Sequence, residues 1–402
     1  MISRLTTIHA PLFRQNAELK NHNRALVLYA LLTHPRLSRT EIAELTMLAP
    51  STVSNITSEL IDQGLVRRAG NIGSPGAGRR SEILARNPAA RLVAAVHITP
   101  ERCEVGIVDL DYSVLASREI VFQEGFAEND TPALLDAVES LAADAGVKSR
   151  LSGLALAYPN HPYHVPSIEA RFSKRFPGLP FYRFNNTEAM AVHEYYLDLG
   201  KRYQTVAYVY VGTGVGSGFI IDGDLYRGYH GNACDLGHMY MTDKPLVCRC
   251  GRVGCLETVA SELALSREAA RHFRLERAPV REELIGFLSA RLQERDTFCA
   301  RLLGDAADYL GKGIFNLVSI TDPEIVVVSG RLNALNPYFS SLVEEAYMER
   351  ARRISPTIVP IEFLPVRPEA GLVGAAMFSF ISMLCEVDQP AETAVGTAAE
   401  AE

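Results

Sequence analysis

Three cysteines and a histidine stand within eighteen residues of one another: His238, Cys248, Cys250 and Cys255. Gly251 and Gly254 let the chain bend between them. Thiolates and imidazole are the donors Zn²⁺ prefers, and four of them close a tetrahedral site. A closed site has no position left for a reacting water, so the spacing predicts a structural zinc ion rather than a catalytic one. The bland alternative is three buried thiols beside an unrelated histidine. The remaining cysteines, Cys103, Cys234, Cys299 and Cys385, are scattered and read as small apolar side chains. An odd total of seven fits reduced thiols better than a disulfide framework.

A second constellation is polar and near the N-terminus. Ser51, Thr52, Ser54, Asn55 and Ser58 fall on one side of a helical period, opposite Val53, Ile56, Leu60 and Ile61. Short hydrogen-bonding side chains in that pattern suit base edges in a major groove. The elements that would position them are legible. Asn21 to Leu32 has a helical stripe of Ala25, Leu28, Leu31 and Leu32, stopped by Pro35. Ser38-Arg39-Thr40-Glu41 has capping-box spacing and opens a short second helix. Met47-Leu48-Ala49 turns the chain, and Pro50 suits the first turn of a third helix. This is a helix-turn-helix pattern. Leu65–Arg68 and Ser81–Leu84 read as strands flanking a glycine-rich loop, which makes a wing. Arg79 and Arg80 at its tip suit phosphates and the minor groove. Arg39 is counted with Ser51, Thr52, Ser54, Asn55, Arg79 and Arg80 as a DNA-binding residue. The alternative is a small helical bundle with a solvated basic linker.

Charge supports the division. Residues 1–90 carry eleven Arg and Lys against six Asp and Glu, a net of +5, within a chain of net charge −7. The rest therefore carries −12, and only the basic head is suited to a polyanion. A 48% hydrophobic and 22% charged composition is globular. No stretch reaches the length of a membrane span, and Met1-Ile2-Ser3-Arg4 does not open a signal peptide, so a cytoplasmic protein is expected. The expected domains are 1–88, a winged helix-turn-helix; 89–386, an α/β body; and 387–402, a disordered tail.

The body repeats itself. Leu92–Ile98 and Cys103–Val108, followed by Asp109-Leu110-Asp111-Tyr112, are echoed by Val206–Val211 and Phe219–Ile221, followed by Asp222-Gly223-Asp224-Leu225. Two α/β lobes related by duplication are expected. Gly212 to Gly218 lies between the second pair and does not fit a dinucleotide fingerprint. It reads as a glycine-rich hairpin turn, able to face a phosphate but ordinary as a tight turn.

Together these features resemble the ROK family of repressors and sugar kinases, over about Asn21 to Phe380. The most specific part is Gly237-His238 with the Cys-x-Cys-Gly-x-x-Gly-Cys-x-Glu run ending at Glu257. Asp322 to Gly330 and Gly371 to Ala376 resemble the family's last strand and closing helix. The resemblance implies an N-terminal winged helix-turn-helix on a two-lobed, actin-like (ribonuclease H-like) sugar-kinase fold. It implies ligand contacts from Asn185, Asn186, Asp235, His238 and Glu257, with His238 shared between zinc and ligand.

The departures from the family pattern are specific. His97-Ile98-Thr99-Pro100 stands where the kinases carry an acidic, glycine-containing phosphate hairpin. Phe184-Asn185-Asn186 stands where they carry Glu-Asn-Asp, whose Asp is the base. An amide cannot take a hydroxyl proton, and losing a general base costs roughly 10²–10⁴ in rate. The segment between Pro159 and Asn185 is short and lacks the usual asparagine-containing sugar loop. The expectation is therefore a non-enzymatic regulator, more often a repressor, of carbohydrate or related catabolic genes. It would bind duplex DNA as a homodimer or homotetramer under control of a sugar-like effector. The alternatives are an active sugar kinase with a DNA-binding head, and a regulator controlled by a protein partner.

Overall fold

The computed structural model describes residues 16–72, 81–99, 102–122, 126–159, 165–353 and 358–385. The chain divides into two units. One holds the residues up to Leu92, with Asp109–Ser113 and the chain from Met377 onward. The other holds Val93–Val108 and Val114–Ala376. The segment 387–402, expected as a disordered tail, lies outside the described residues, as do Pro100 and most of the wing loop.

In the first unit, α1 (Asn16–Thr33), β1 (Leu37–Ser38), α2 (Arg39–Thr46) and α3 (Pro50–Asp62) precede β2 (Val66–Ile72) and β3 (Ser81–Arg86). The capping box forms as spaced: Ser38 Oγ accepts from Glu41 N at 3.2 Å, and Ser38 N donates to Glu41 Oε2 at 2.7 Å. Such a cap stabilises a helix start by about 1 kcal/mol. Met47, at φ 56°, turns the chain from α2 toward Pro50, the first residue of α3. The strands pair antiparallel in the order β1-β3-β2, and Leu28, Leu31, Ile42, Val53, Leu60 and Leu84 are buried together.

One expectation needs correction. The helix read as amphipathic is covered almost all round: Ala25, Leu26, Val27, Leu28, Ala30, Leu31 and Leu32 are all buried. The same unit supplies extra cover from distant sequence. Tyr112 Oη and Arg86 Nη1 both donate to the Leu32 carbonyl at 2.7 Å, satisfying an acceptor in the last turn that the helix itself cannot. The Arg86 guanidinium lies 4.1 Å from the Tyr112 ring centre and 3.0 Å from Asp111 Oδ1. Leu384 and Cys385 pack against the core of this unit. No local period announces such partners.

The second unit carries two mixed sheets. The first contains β4 (Leu92–Ile98), β5 (Arg102–Asp109), β6 (Val114–Val121), β7 (Leu151–Tyr158) and β8 (Phe181–Asn185), in the order β6-β5-β4-β7-β8. With it go α4 (Thr131–Asp144), α5 (Val165–Arg175) and α6 (Asn186–Leu197). The second contains β9 (Val206–Val211), β10 (Val215–Ile221), β11 (Asp224–Tyr226), β12 (Ile325–Gly330) and β13 (Ile361–Leu364), in the order β11-β10-β9-β12-β13. Its helices are α7 (Glu257–Ala260), α8 (Glu262–Phe273), α9 (Glu282–Gln293), α10 (Thr297–Thr321), α11 (Tyr338–Ala351) and α12 (Ala370–Cys385), whose last residues count with the first unit. Central strands β4 and β12 are buried at every position, as strands covered on both faces must be. The duplication inferred from two hairpins extends to whole sheets. This is the two-lobed, actin-like sugar-kinase fold.

The glycine-rich turn is shorter than the sequence suggests. β9 ends at Val211 and β10 begins at Val215, so only Gly212-Thr213-Gly214 turns the chain. Gly216, Ser217 and Gly218 are strand residues lying against α6. A Cβ at Gly218 would sit 2.8 Å from the Ala191 Cβ, so glycine there serves packing rather than turning.

Candidate functional site

Helix α3 presents Ser51, Ser54, Asn55 and Ser58 to solvent, with Thr52 half-buried. Val53, Ile56 and Leu60 hold the opposite side in the core. Arg39 is placed differently from the other predicted DNA contacts. Its Nε donates to Thr57 Oγ1 at 3.0 Å, and its Nη1 pairs with Glu82 Oε2, so it braces α2 against α3 and β3. Arg79 and Arg80 lie outside the described residues. Helix α3 has no lysine or arginine of its own. Exposed Arg36, Arg67 and Arg68 are the nearby cations that the sequence reading passed over. The adjacent pair on the wing strand was the available signal.

The cysteine–histidine cluster closes in space. One ligand atom each from His238, Cys248, Cys250 and Cys255 lies within 4.8 Å of all the others. Cys250 Sγ and Cys255 Sγ are 3.7 Å apart, and Cys248 Sγ is 3.5 Å from His238 Nδ1. Bond lengths of about 2.3 Å to sulfur and about 2.0 Å to nitrogen give tetrahedral edges of roughly 3.8 and 3.5 Å, so the donors fit a zinc ion. A tight turn, with Gly251 N donating to the Cys248 carbonyl at 2.9 Å, sets two of the ligands. Burial pushes the Cys248 thiol up to about 12. A cation is what would hold that sulfur as thiolate.

The same loop reaches a cavity in the second unit. Asn185, Asn186, Asp235, His238 and Glu257 all line it, so the five predicted ligand contacts come together. Their roles within it differ. Asn185 is the N-cap of α6: its Oδ1 accepts from Thr187 N at 2.8 Å, and its own N–H donates to Glu188 Oε2 at 2.8 Å. Asn186 Nδ2 donates to the Ile98 carbonyl at 2.7 Å. An aspartate could not make that bond, and its carboxylate would face a carbonyl oxygen instead. Glu257 is buried and takes two 2.9 Å hydrogen bonds from Arg249 Nε and Nη2, with a third from Val215 N at 3.2 Å. Bidentate guanidinium pairing of this kind fixes geometry as well as charge.

Arg249 was not foreseen, although its place between two ligand cysteines was the clue. A Cβ on Gly214 would fall 2.2 Å from Arg249 Nη2 and 2.4 Å from Glu257 Oε2, so the β9–β10 turn needs glycine there to admit this pair. His97 also lines the cavity; burial first, and then the Arg102 charge, lower its pKa to about 4. Its Nε2 is buried without a hydrogen-bond partner among the described residues, as is Asn186 Oδ1. Arg102, Arg281, Arg331 and Arg367 complete a lining in which the carboxylates, among the described residues, are Asp235 and Glu257.

A model of the ROK family matches residues 93–379, and a model of the MarR family matches residues 21–80. The chain is similar to a xylose repressor of Caldicellulosiruptor bescii, 27% identical over 401 residues, covering 91% of this chain and 97% of the relative. A crystal structure of a ROK family transcriptional regulator, homolog of the E. coli MLC protein, is similar with a TM-score of 0.71 at 22% identity. It covers 90% of this chain and 96% of its own. A ROK hexokinase from Thermus thermophilus is similar with a TM-score of 0.58 at 27% identity, over 71% of this chain and 97% of that enzyme.

Proposed function

The chain belongs to the ROK family, and from that premise we propose that it is a DNA-binding transcriptional repressor of carbohydrate or related catabolic genes. Its body senses a small molecule in a cleft that does not transfer phosphate. One observation carries this reading: the amide of Asn186, the residue that by family resemblance stands in for the kinases' base, is committed to the Ile98 carbonyl. Of the two carboxylates that line the cavity among the described residues, Glu257 is engaged by Arg249. A MarR-type head over residues 21–80 and similarity to a repressor along nearly the full length support the DNA-binding half.

In this reading Ser51, Thr52, Ser54 and Asn55 face base edges, while Arg79 and Arg80 meet phosphate or the minor groove. Arg39 acts by holding α3 in place. A homodimer or homotetramer sets two recognition helices on a near-palindromic operator. Zinc is structural, and through His238 and Arg249 its loop positions the cleft. The effector contacts Asn186, Asp235 and His238, with Asn185 and Glu257 shaping the wall. It shifts operator affinity only in so far as it binds two arrangements of the protein unequally.

The test uses purified full-length protein, duplexes from its own upstream region, and ATP with a panel of hexoses and pentoses. The expected result is duplex binding whose affinity falls steeply with salt, and no ADP above the sugar-free background. Sugar-dependent ADP formation would restore the kinase alternative. Salt-independent or absent duplex binding would remove the repressor reading.

A further inference from the structure

The unit that carries the helix-turn-helix is not built from one stretch of chain. Two pieces from the body's part of the sequence complete it: the turn Asp109–Ser113, which joins β5 to β6, and the end of α12 from Met377 onward. Each continues an element that begins at the cleft. β5 starts at Arg102, which lines the cavity. α12 starts at Ala370-Gly371, and a Cβ on Gly371 would fall 2.5 Å from His97 Nε2, so that ring lies against the helix backbone.

The turn is firmly built. The buried Asp109 carboxylate accepts from Asp111 N at 2.9 Å and from Ser113 N at 3.0 Å. Tyr112 stands at φ 69°, a left-handed conformation that a bulky residue keeps only where its surroundings impose it. Those surroundings are the end of α1 and the end of β3. The Tyr112 hydroxyl donates to the Leu32 carbonyl, its ring lies against the Arg86 guanidinium, and the Phe380 ring is 6.3 Å away. Arg86, whose side chain is 7% exposed, donates through Nη1 to the same carbonyl and engages Asp111 Oδ1 through Nε and Nη2. Helix α1 is in turn the seat of α3. Leu28 and Leu31 share a core with Val53 and Leu60, Arg24 Nη2 donates to Gln63 Oε1 at 3.0 Å, and Lys20 Nζ lies 3.3 Å from Glu59 Oε2.

We propose that Tyr112 and Arg86 are positioning residues for DNA recognition: the β5–β6 turn latches the last turn of α1 and so fixes the seat of α3. The proposal rests on the reading of the head as DNA-binding and adds the device that ties it to elements lining the cleft. A change at Arg102 or at Gly371 has one continuous strand and one continuous helix by which to reach the latch, and rigid elements of that kind carry coupling between sites. Two donors share one carbonyl, so the latch opens fully only when both are lost.

The experiment is fluorescence anisotropy of the full-length protein with two duplexes of equal length, one from its own upstream region and one of scrambled sequence. Tyr112→Phe and Arg86→Met are each expected to lower affinity for the upstream duplex about threefold, and the double variant about tenfold. Arg86→Lys should recover part of the loss. Affinity for the scrambled duplex should stay within about twofold throughout, because the exposed cations that meet phosphate are untouched. Amide exchange at residues 29–33 and 50–62 of the double variant is expected to speed about fivefold or more, with β7 unmoved. Equal losses on both duplexes would make the pair a general folding contact and overturn the proposal, as would unchanged upstream affinity in the double variant. If the wild type binds neither duplex preferentially, the DNA-binding reading falls and exchange alone decides the latch: no acceleration at 29–33 and 50–62 overturns it.

Discussion

The two sheets of the body share one strand order and differ in what each hangs on it. In the second, the turn between β9 and β10 is Gly212-Thr213-Gly214, closed by a backbone bond from Gly212 N to the Gly214 carbonyl at 2.8 Å. Beside it lies the cysteine–histidine loop with Arg249 and Glu257. In the first, the corresponding turn between β4 and β5 runs from Thr99 to Arg102. There the threonine side chain closes the turn, with Oγ1 donating to the Arg102 carbonyl at 2.8 Å and accepting from Arg102 N at 3.2 Å. His97, in the strand that precedes this turn, is buried and faces the cleft. A duplicated backbone has therefore kept its topology while its two hairpins have taken on different chemistry. Fold similarity to a hexokinase accordingly carries no argument for phosphate transfer here.

If the second lobe is organised by a metal and the first by its own core, removing the metal must damage one and spare the other. Chelation, or Cys250→Ser, is expected to give the largest effect in the molecule. A structural zinc contributes several kcal/mol or more to the segment it closes, on the order of 10 kcal/mol in small zinc domains. Hydrogen exchange should then speed more than about 100-fold in Asp235–Ala260, with little change in the strands of the first sheet. Equal losses in both sheets would break the contrast. No loss in either, with no zinc found by metal analysis, would reduce the cluster to buried thiols.

The first lobe should respond to acid instead. Burial, and then the Arg102 charge, lower the His97 pKa to about 4 in the folded protein, against 6.5 as the ordinary value. Between those values the unfolded chain binds the extra proton. The stability His97 confers is therefore full above about pH 6.5 and is lost as pH falls toward 4. A difference of that size corresponds to about 3 kcal/mol. Denaturant unfolding at pH 7 and pH 4 should show wild type losing about 2–3 kcal/mol more than His97→Gln. Equal losses in the two proteins would mean that the imidazole is not the group that makes this lobe acid-sensitive.

What was legible in advance followed from local rules. Ser38 and Glu41 three residues apart specify a cap, and four donors of the right kind within eighteen residues specify a metal cluster. The polar face of α3 followed from a 3.6-residue period. What could not be read depended on residues far apart in sequence. Arg86 and Tyr112 converge on the Leu32 carbonyl from more than fifty residues away. The place of Arg249 between two cysteines was legible, but its pairing with Glu257 beside the β9–β10 turn exists only in the fold. Asn185 was read as a ligand contact because family position suggested it; it lines the cavity, and its oxygen also caps α6, which family position did not announce. Arg39 was counted as a DNA contact, and only the fold shows Thr57 and Glu82 occupying it.

The smallest predicted effect tests the comparison most closely. Thr99→Ala removes the hydroxyl that bonds both the N–H and the carbonyl of Arg102, leaving the backbone bond from Thr99 N to the Arg102 carbonyl at 2.8 Å. Losing side-chain hydrogen bonds at a half-buried turn costs about 1 kcal/mol. If the first hairpin depends on its side chain, this variant should lower stability by about that amount. It should also raise exchange at Arg102 and leave residues 212–215 unmoved. If Thr99→Ala is neutral, the backbone bond alone holds the turn. The two hairpins would then be closed by the same device, and the difference between the lobes would reduce to the side chains that face the cleft.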